Sequence, residues 1–188
     1  SVFGADAVAA IGITQKIYMV PMYISMGISQ GIMPLVSYNY ASGNQKRMKA
    51  AIVFAGEISI GFITTAAVFF YFGAEGVVQF FMDNPSIIAY GIQFMRGFCL
   101  GLPFLCMDFL AVGVFQALGY GKNALVFAIM RKIVLEIPAL YLLNYLFPLY
   151  GLAYAQFVAE FVLAIAAVVQ LLLIFRKLGK KQVYIEDV

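Results

Sequence analysis

The sequence predicts an all-α, polytopic membrane protein, and three observations predict it. Of 188 residues, 64% are apolar and 11% charged, whereas a soluble domain carries about a quarter charged residues. The apolar residues form blocks of the length needed to cross a bilayer as a helix, about 20 residues each. Ten of the twelve basic residues fall in three clusters that alternate with those blocks: Lys46, Arg47 and Lys49; Lys122, Arg131 and Lys132; Arg176, Lys177, Lys180 and Lys181.

Five spans follow, over 13–37, 50–72, 87–118, 124–146 and 151–175, with a tail at 176–188. The first ends in GISQGIMPLVSYNY, where Gly27 and Gly31 make a small-xxx-small pair suited to close helix approach. Pro34 is expected to open or bend that end, and Ser42–Gly43–Asn44 to turn the chain. Lys46, Arg47 and Lys49 anchor the start of the second span at anionic headgroups. The loop after it carries Glu75 and Asp83 and no basic residue. The third span is long, and tilts, extends past the bilayer or breaks near Pro103. Gly97 and Gly101 form its close-approach pair, and Gln93, Arg96 and Gly97 share part of one face. A basic loop leads into the fourth span, which Tyr141 and Asn144 supply with donors. The uncharged NYLFPLYG leads into the fifth, which RKLGKK follows.

Basic loops on one side place that side, and the C-terminus, in the cytoplasm. The start of the chain then lies outside without a signal sequence, which is most economically explained by a further helix before Ser1. Positive charge at the edges of apolar blocks, rather than in a stripe, argues against nucleic acid. There is no histidine, and no HExxH, P-loop or CxxC pattern, so neither an enzyme nor a metal site is expected, and no cofactor. Cys99 and Cys106 lie inside an apolar block as packing thiols.

The strings GISQGIMPLVSYNY, SGNQKRMKAAI and GLPFLCMDFLAVGVFQALGYGKNALVFAIMRK resemble the multidrug and toxic compound extrusion (MATE) transporters, and the MepA-like bacterial branch in particular. The resemblance covers nearly the whole chain. It implies a MATE-type helical bundle in which these five helices correspond to helices eight to twelve, most of the C-terminal six-helix lobe. It implies partners as well: a missing N-terminal lobe of the same protein, the lipid bilayer, and small amphipathic or cationic substrates. The implied function is cation-coupled export of drugs across the bacterial cytoplasmic membrane by alternating access, with H+ or Na+ as coupling ion. A lipid-linked precursor flippase of the wider superfamily, or a non-transporting remnant if the chain is complete, are the alternatives.

Ionisable residues inside apolar blocks are functional candidates because an intramembrane charge is costly. Asp108, in FLCMDFLAV, has no basic residue within a helical turn. Its carboxylate is the leading cation-coupling candidate, able to bind sodium, take up a proton or pair with a substrate ammonium. Lys16 and Arg96 stand outside the basic clusters, within snorkelling reach of the outer surface, either paired with carboxylates of the lobe or as interface anchors. Lys16, beside Gln15, departs from the carboxylate that some MATE members carry on this helix. Gln156 and Glu160, one turn apart, give the last span a polar face, and Gln30 and Gln93 are further cavity or gating candidates. Lys132 and Glu136 are placed for an i,i+4 pair, and Glu57 for partial solvation near the cytoplasmic side.

Overall fold

The computed structural model describes residues 4–186, with side chains through residue 178. Those residues are helical almost throughout, in α1 (Gly4–Ala41), α2 (Gln45–Phe72), α3 (Ala74–Phe81), α4 (Pro85–Ala117), α5 (Gly121–Ile129), a π-helical segment (Met130–Glu136), α6 (Ile137–Leu146) and α7 (Gly151–Glu186). Four helices are long and apolar enough to cross a membrane: α1, α2, α4 and, over Gly151–Leu178, α7. The expected span 124–146 is filled by α5, the π-helical segment and α6, end to end.

The connections follow local chemistry. Gly43 takes φ 73° in the α1–α2 turn, a conformation that costs a glycine little. Asn44 caps α2 by accepting from the Arg47 backbone N–H at 3.1 Å. Asn84 caps α4 through Ser86 at 2.9 Å, and Pro85 opens that helix where no N–H is needed. The acidic loop after α2 holds a short helix that the sequence reading left as loop. In α3, Val78 is fully buried against Gly91 of α4, while Phe80 and Phe81 stay exposed.

α4 is the central helix, packed on α1, α2 and α7. It buries Phe94, Leu102, Leu105, Val114 and Phe115. Outward faces are as apolar as the core: Phe54, Ile58, Phe62 and Phe69 along α2, and Val158, Val162, Ile165, Val169 and Leu172 along α7. Stripes at this spacing suit lipid, which has no preference for polar surface.

Several sequence expectations are corrected. Pro34 neither ends nor opens α1, which stays helical to Ala41, with Pro21 also inside it. α4 runs unbroken through Pro103, so of the three ways to place its length the break is removed. Gly27 and Gly31 are exposed, and a Cβ at either meets nothing within 4 Å. The close approach of α1 to α4 is instead at Ser29, whose hydroxyl donates to the Phe109 carbonyl and would overlap a Cβ at Gly113. Gly97 and Gly101 do make the expected close pair: their added Cβ atoms would lie 2.6 Å from the Ala153 Cβ and 3.5 Å from the Phe157 Cα on α7.

Candidate functional site

Three charged side chains converge where α4, the π-helical segment and α7 meet. Asp108 of α4 is 1% exposed and Glu160 of α7 is 0% exposed. The close Gly97–Ala153 and Gly101–Phe157 contacts bring the two helices together one to three turns before these carboxyls. The Glu160 γ-carbon stands 4.0 Å from where a Gly101 Cβ would be, so the Glu160 side chain runs alongside this stretch of α4. Asp108 lies two turns further along α4 from Gly101, on the same face, with Glu160 as its neighbouring carboxyl.

The third member is Arg131. Its Nε lies 3.1 Å from Glu160 Oε1, and its side chain is 16% exposed. The guanidinium also sits over the Phe109 ring, 4.9 Å from the centroid. The π-helical turn explains this placement. Pro138 has no N–H to return to the Val134 carbonyl, and the helix widens in the turn before it. Arg131 then turns inward while its neighbour Lys132, 60% exposed, bonds Glu136 at 2.7 Å. The Lys132–Glu136 pair is the one expected from the spacing. Arg131 was expected in a cytoplasmic basic cluster; ten residues after Gly121 it stands about 15 Å into the helix. That depth, and a partner for Lys132 but none for Arg131 on its own helix, were the signals available in the sequence.

Among the described residues the cluster is under-satisfied. Both carboxyl oxygens of Asp108, both of Glu160 and Nε of Arg131 are buried without a hydrogen bond. The Arg131–Glu160 pair is close in distance yet not aligned as a hydrogen bond. Ionised carboxylates only accept, so the Asp108–Glu160 contact becomes a hydrogen bond when one of them carries a proton. One turn before Glu160, Gln156 Nε2 donates to the Tyr18 hydroxyl at 2.8 Å, tying α7 to α1. Tyr18 had no role in the sequence reading, and nothing in its spacing distinguishes it from the other eleven tyrosines.

The remaining candidates stand elsewhere. Gln15, Lys16, Gln30 and Glu57 are exposed on α1 and α2. Among the described residues Lys16 makes no ion pair. Arg96 also has no carboxylate partner there; it lies over the Tyr71 ring of α2, 5.5 Å from the centroid. Gln93 and Gly97, one turn apart, both face α7: Gly97 is buried against Ala153, while Gln93 stays exposed. Gln93 lines a cavity of about 680 Å³ with Phe147, Tyr150, Tyr154 and Phe157. Tyr141 is 79% exposed, and Asn144 uses its oxygen on the Leu149 N–H at 3.4 Å. Lys180 and Lys181 lie outside the residues whose side chains are described. Among the described residues no three His, Cys, Asp or Glu side chains are grouped to hold a metal.

This arrangement can hold or release a small cation, and the chain that carries it is similar to known transporters. Multidrug export protein MepA of Staphylococcus haemolyticus is 34% identical over 166 residues, covering 88% of this chain and 36% of the relative. MepA of Staphylococcus aureus strain RF122 is 32% identical with the same coverage. The chain thus spans 36% of the length of these curated relatives. Two solved structures share the fold. An outward-facing multidrug resistance MATE family transporter of the MOP superfamily has a TM-score of 0.88 at 19% identity, over 94% of this chain and 40% of that one. The Vibrio cholerae MATE transporter VcmN in its bent form has a TM-score of 0.87 at 18% identity, over 95% and 41%. The MatE family model matches residues 1–142. On that match, which covers most of the sequence, the chain belongs to the MatE family.

Proposed function

We propose that this chain is the greater part of the C-terminal lobe of a cation-coupled exporter of amphipathic or cationic compounds. It works with an N-terminal lobe of the same protein in the bacterial cytoplasmic membrane. The share of the MepA relatives that it spans supports this assignment. The fourth expected span rests on its apolar composition, and the C-terminus in the cytoplasm with the chain's start outside follows from the basic clusters. Substrate sits between the lobes, and alternating access carries it outward without covalent chemistry.

Asp108 takes up the coupling cation, with Glu160 as its partner. The single observation that carries this reading is the pair of fully buried carboxyls in contact on two packed helices, with their oxygens unsatisfied by the protein. A bilayer helix has no structural need for two such groups, and their cost is borne where a charge must come and go. Uptake of a cation at Asp108 changes the electrostatics of the α4–α7 interface and biases which side of the lobe opens.

The test is energised efflux of a fluorescent cationic dye by the full-length gene product, with Asp108→Asn beside it. Wild-type protein is expected to expel the dye and D108N to lose coupled efflux at equal expression. Unchanged coupled efflux in D108N removes Asp108 from the mechanism.

A further inference from the structure

The charges of the buried cluster do not cancel. Asp108 and Glu160 bring two carboxyls, and Arg131 brings one guanidinium, which only donates. The other titratable groups facing the cluster leave that balance unchanged. Tyr18 comes from α1, and Cys99 and Cys106 from α4, all neutral in their ordinary protonated form. Glu136, from the π-helical segment, is held by Lys132. Glu57 of α2 is exposed elsewhere. With both carboxyls ionised the cluster is therefore one positive charge short.

Resting on the exporter reading above, we propose that Arg131 is a resident cation which occupies the place beside Glu160 that a sodium ion would need. The cluster then accepts one proton per transport cycle and is closed to sodium.

The geometry supports this in three ways. First, the guanidinium is held in position from two directions, by Glu160 Oε1 at 3.1 Å and by the Phe109 ring at 4.9 Å. Second, a hard cation has to be wrapped by several oxygens, and membrane sites for sodium draw many of them from unwound helix. Here α4 stays helical past Asp108 and α7 past Glu160, so their carbonyls remain in the helix ladders. The Phe109 carbonyl, next in sequence to Asp108, already accepts from Ser29. Third, a proton needs only one carboxyl oxygen. Placed between Asp108 and Glu160, it converts their contact into a hydrogen bond and leaves the cluster neutral, with Arg131 still paired to Glu160. No bond other than that to the proton is made or broken.

The experiment measures equilibrium binding of radioactive sodium to the purified full-length gene product, with Asp108→Asn as the subtraction that isolates this site. The wild-type protein is expected to show no sodium binding that D108N removes. Arg131→Gln is expected to gain a saturable component that D108N in the same background abolishes. Arg131→Lys keeps the charge and remains closed to sodium. Wild-type sodium binding that disappears in D108N overturns the proposal, and so does an R131Q protein that folds but gains none. A second measurement needs no Arg131 variant. Proton uptake on acidifying the wild-type protein exceeds that of D108N by one proton, and added sodium does not displace it. Displacement by sodium, or a difference of two protons, overturns the proposal. Both readouts are binding measurements, so they stand even if no dye is exported, an outcome that counts against the exporter reading alone.

Discussion

Two small-xxx-small pairs in this chain have opposite fates. Gly97 and Gly101 on α4 press against Ala153 and Phe157 of α7, so closely that a Cβ at Gly97 would stand 2.6 Å from the Ala153 Cβ. Gly27 and Gly31 on α1 are exposed, with nothing within 4 Å of an added Cβ. The motif alone therefore does not identify a helix contact. What separates the two is what lies opposite: Gly97 and Gly101 face α7 one to two turns before Glu160, whose carboxylate meets Arg131. On α1 the side chain that meets α4 is Ser29, one position from Gln30, while both glycines look away.

If the α4–α7 contact and its charge cluster hold the lobe together, changes there should dominate its stability. Glu160→Ala removes the carboxylate 3.1 Å from the Arg131 guanidinium and leaves Asp108 as the cluster's one carboxyl, so the cost is expected at the lower end of the about 3–5 kcal/mol for breaking a buried pair. The buried, free thiols of Cys99 and Cys106 on α4 offer the readout, since a thiol-reactive dye reports when that helix is uncovered by heating. Gly97→Leu should come next, with overpacking of about 1–3 kcal/mol and a lower midpoint in the same assay. Lys132→Ala breaks an exposed i,i+4 pair beside Arg131, and about 0.3–0.5 kcal/mol is expected. The contrast between two adjacent basic residues is the informative quantity: equal effects for R131A and K132A would contradict the inward turn of Arg131. Smallest of all, Gly27→Ala and Gly31→Ala should leave the midpoint unchanged or raise it, by at most about 1 kcal/mol from helix propensity. A large loss of stability at Gly27 would show that the exposed face of α1 is packed after all.

The sequence carried the helical, membrane-spanning class and the four long helices, because bilayer crossing imposes a length and a composition that can be counted. It also carried Asp108 and Glu160, since a carboxyl in an apolar block is conspicuous, and the Lys132–Glu136 pair, since i,i+4 spacing is local. It missed Arg131 because adjacency to Lys132 suggested a shared loop, while the π-helical turn before Pro138 separates their directions. The meeting of Asp108, Arg131 and Glu160 depends on three elements distant in sequence, which periodicity within one helix does not report. The fates of Gly27 and Gly97 were illegible for the same reason: a glycine's partner lies on another helix.

The most direct test of the central claim, that Asp108 couples cation entry to export, compares two modes of transport in the same reconstituted full-length protein. In Asp108→Asn, exchange of labelled for unlabelled dye without a gradient should persist, because folding and the substrate path are intact. Accumulation of dye against its gradient, driven by an imposed cation gradient, should be lost. Concentrative transport by D108N at the wild-type level would contradict the account.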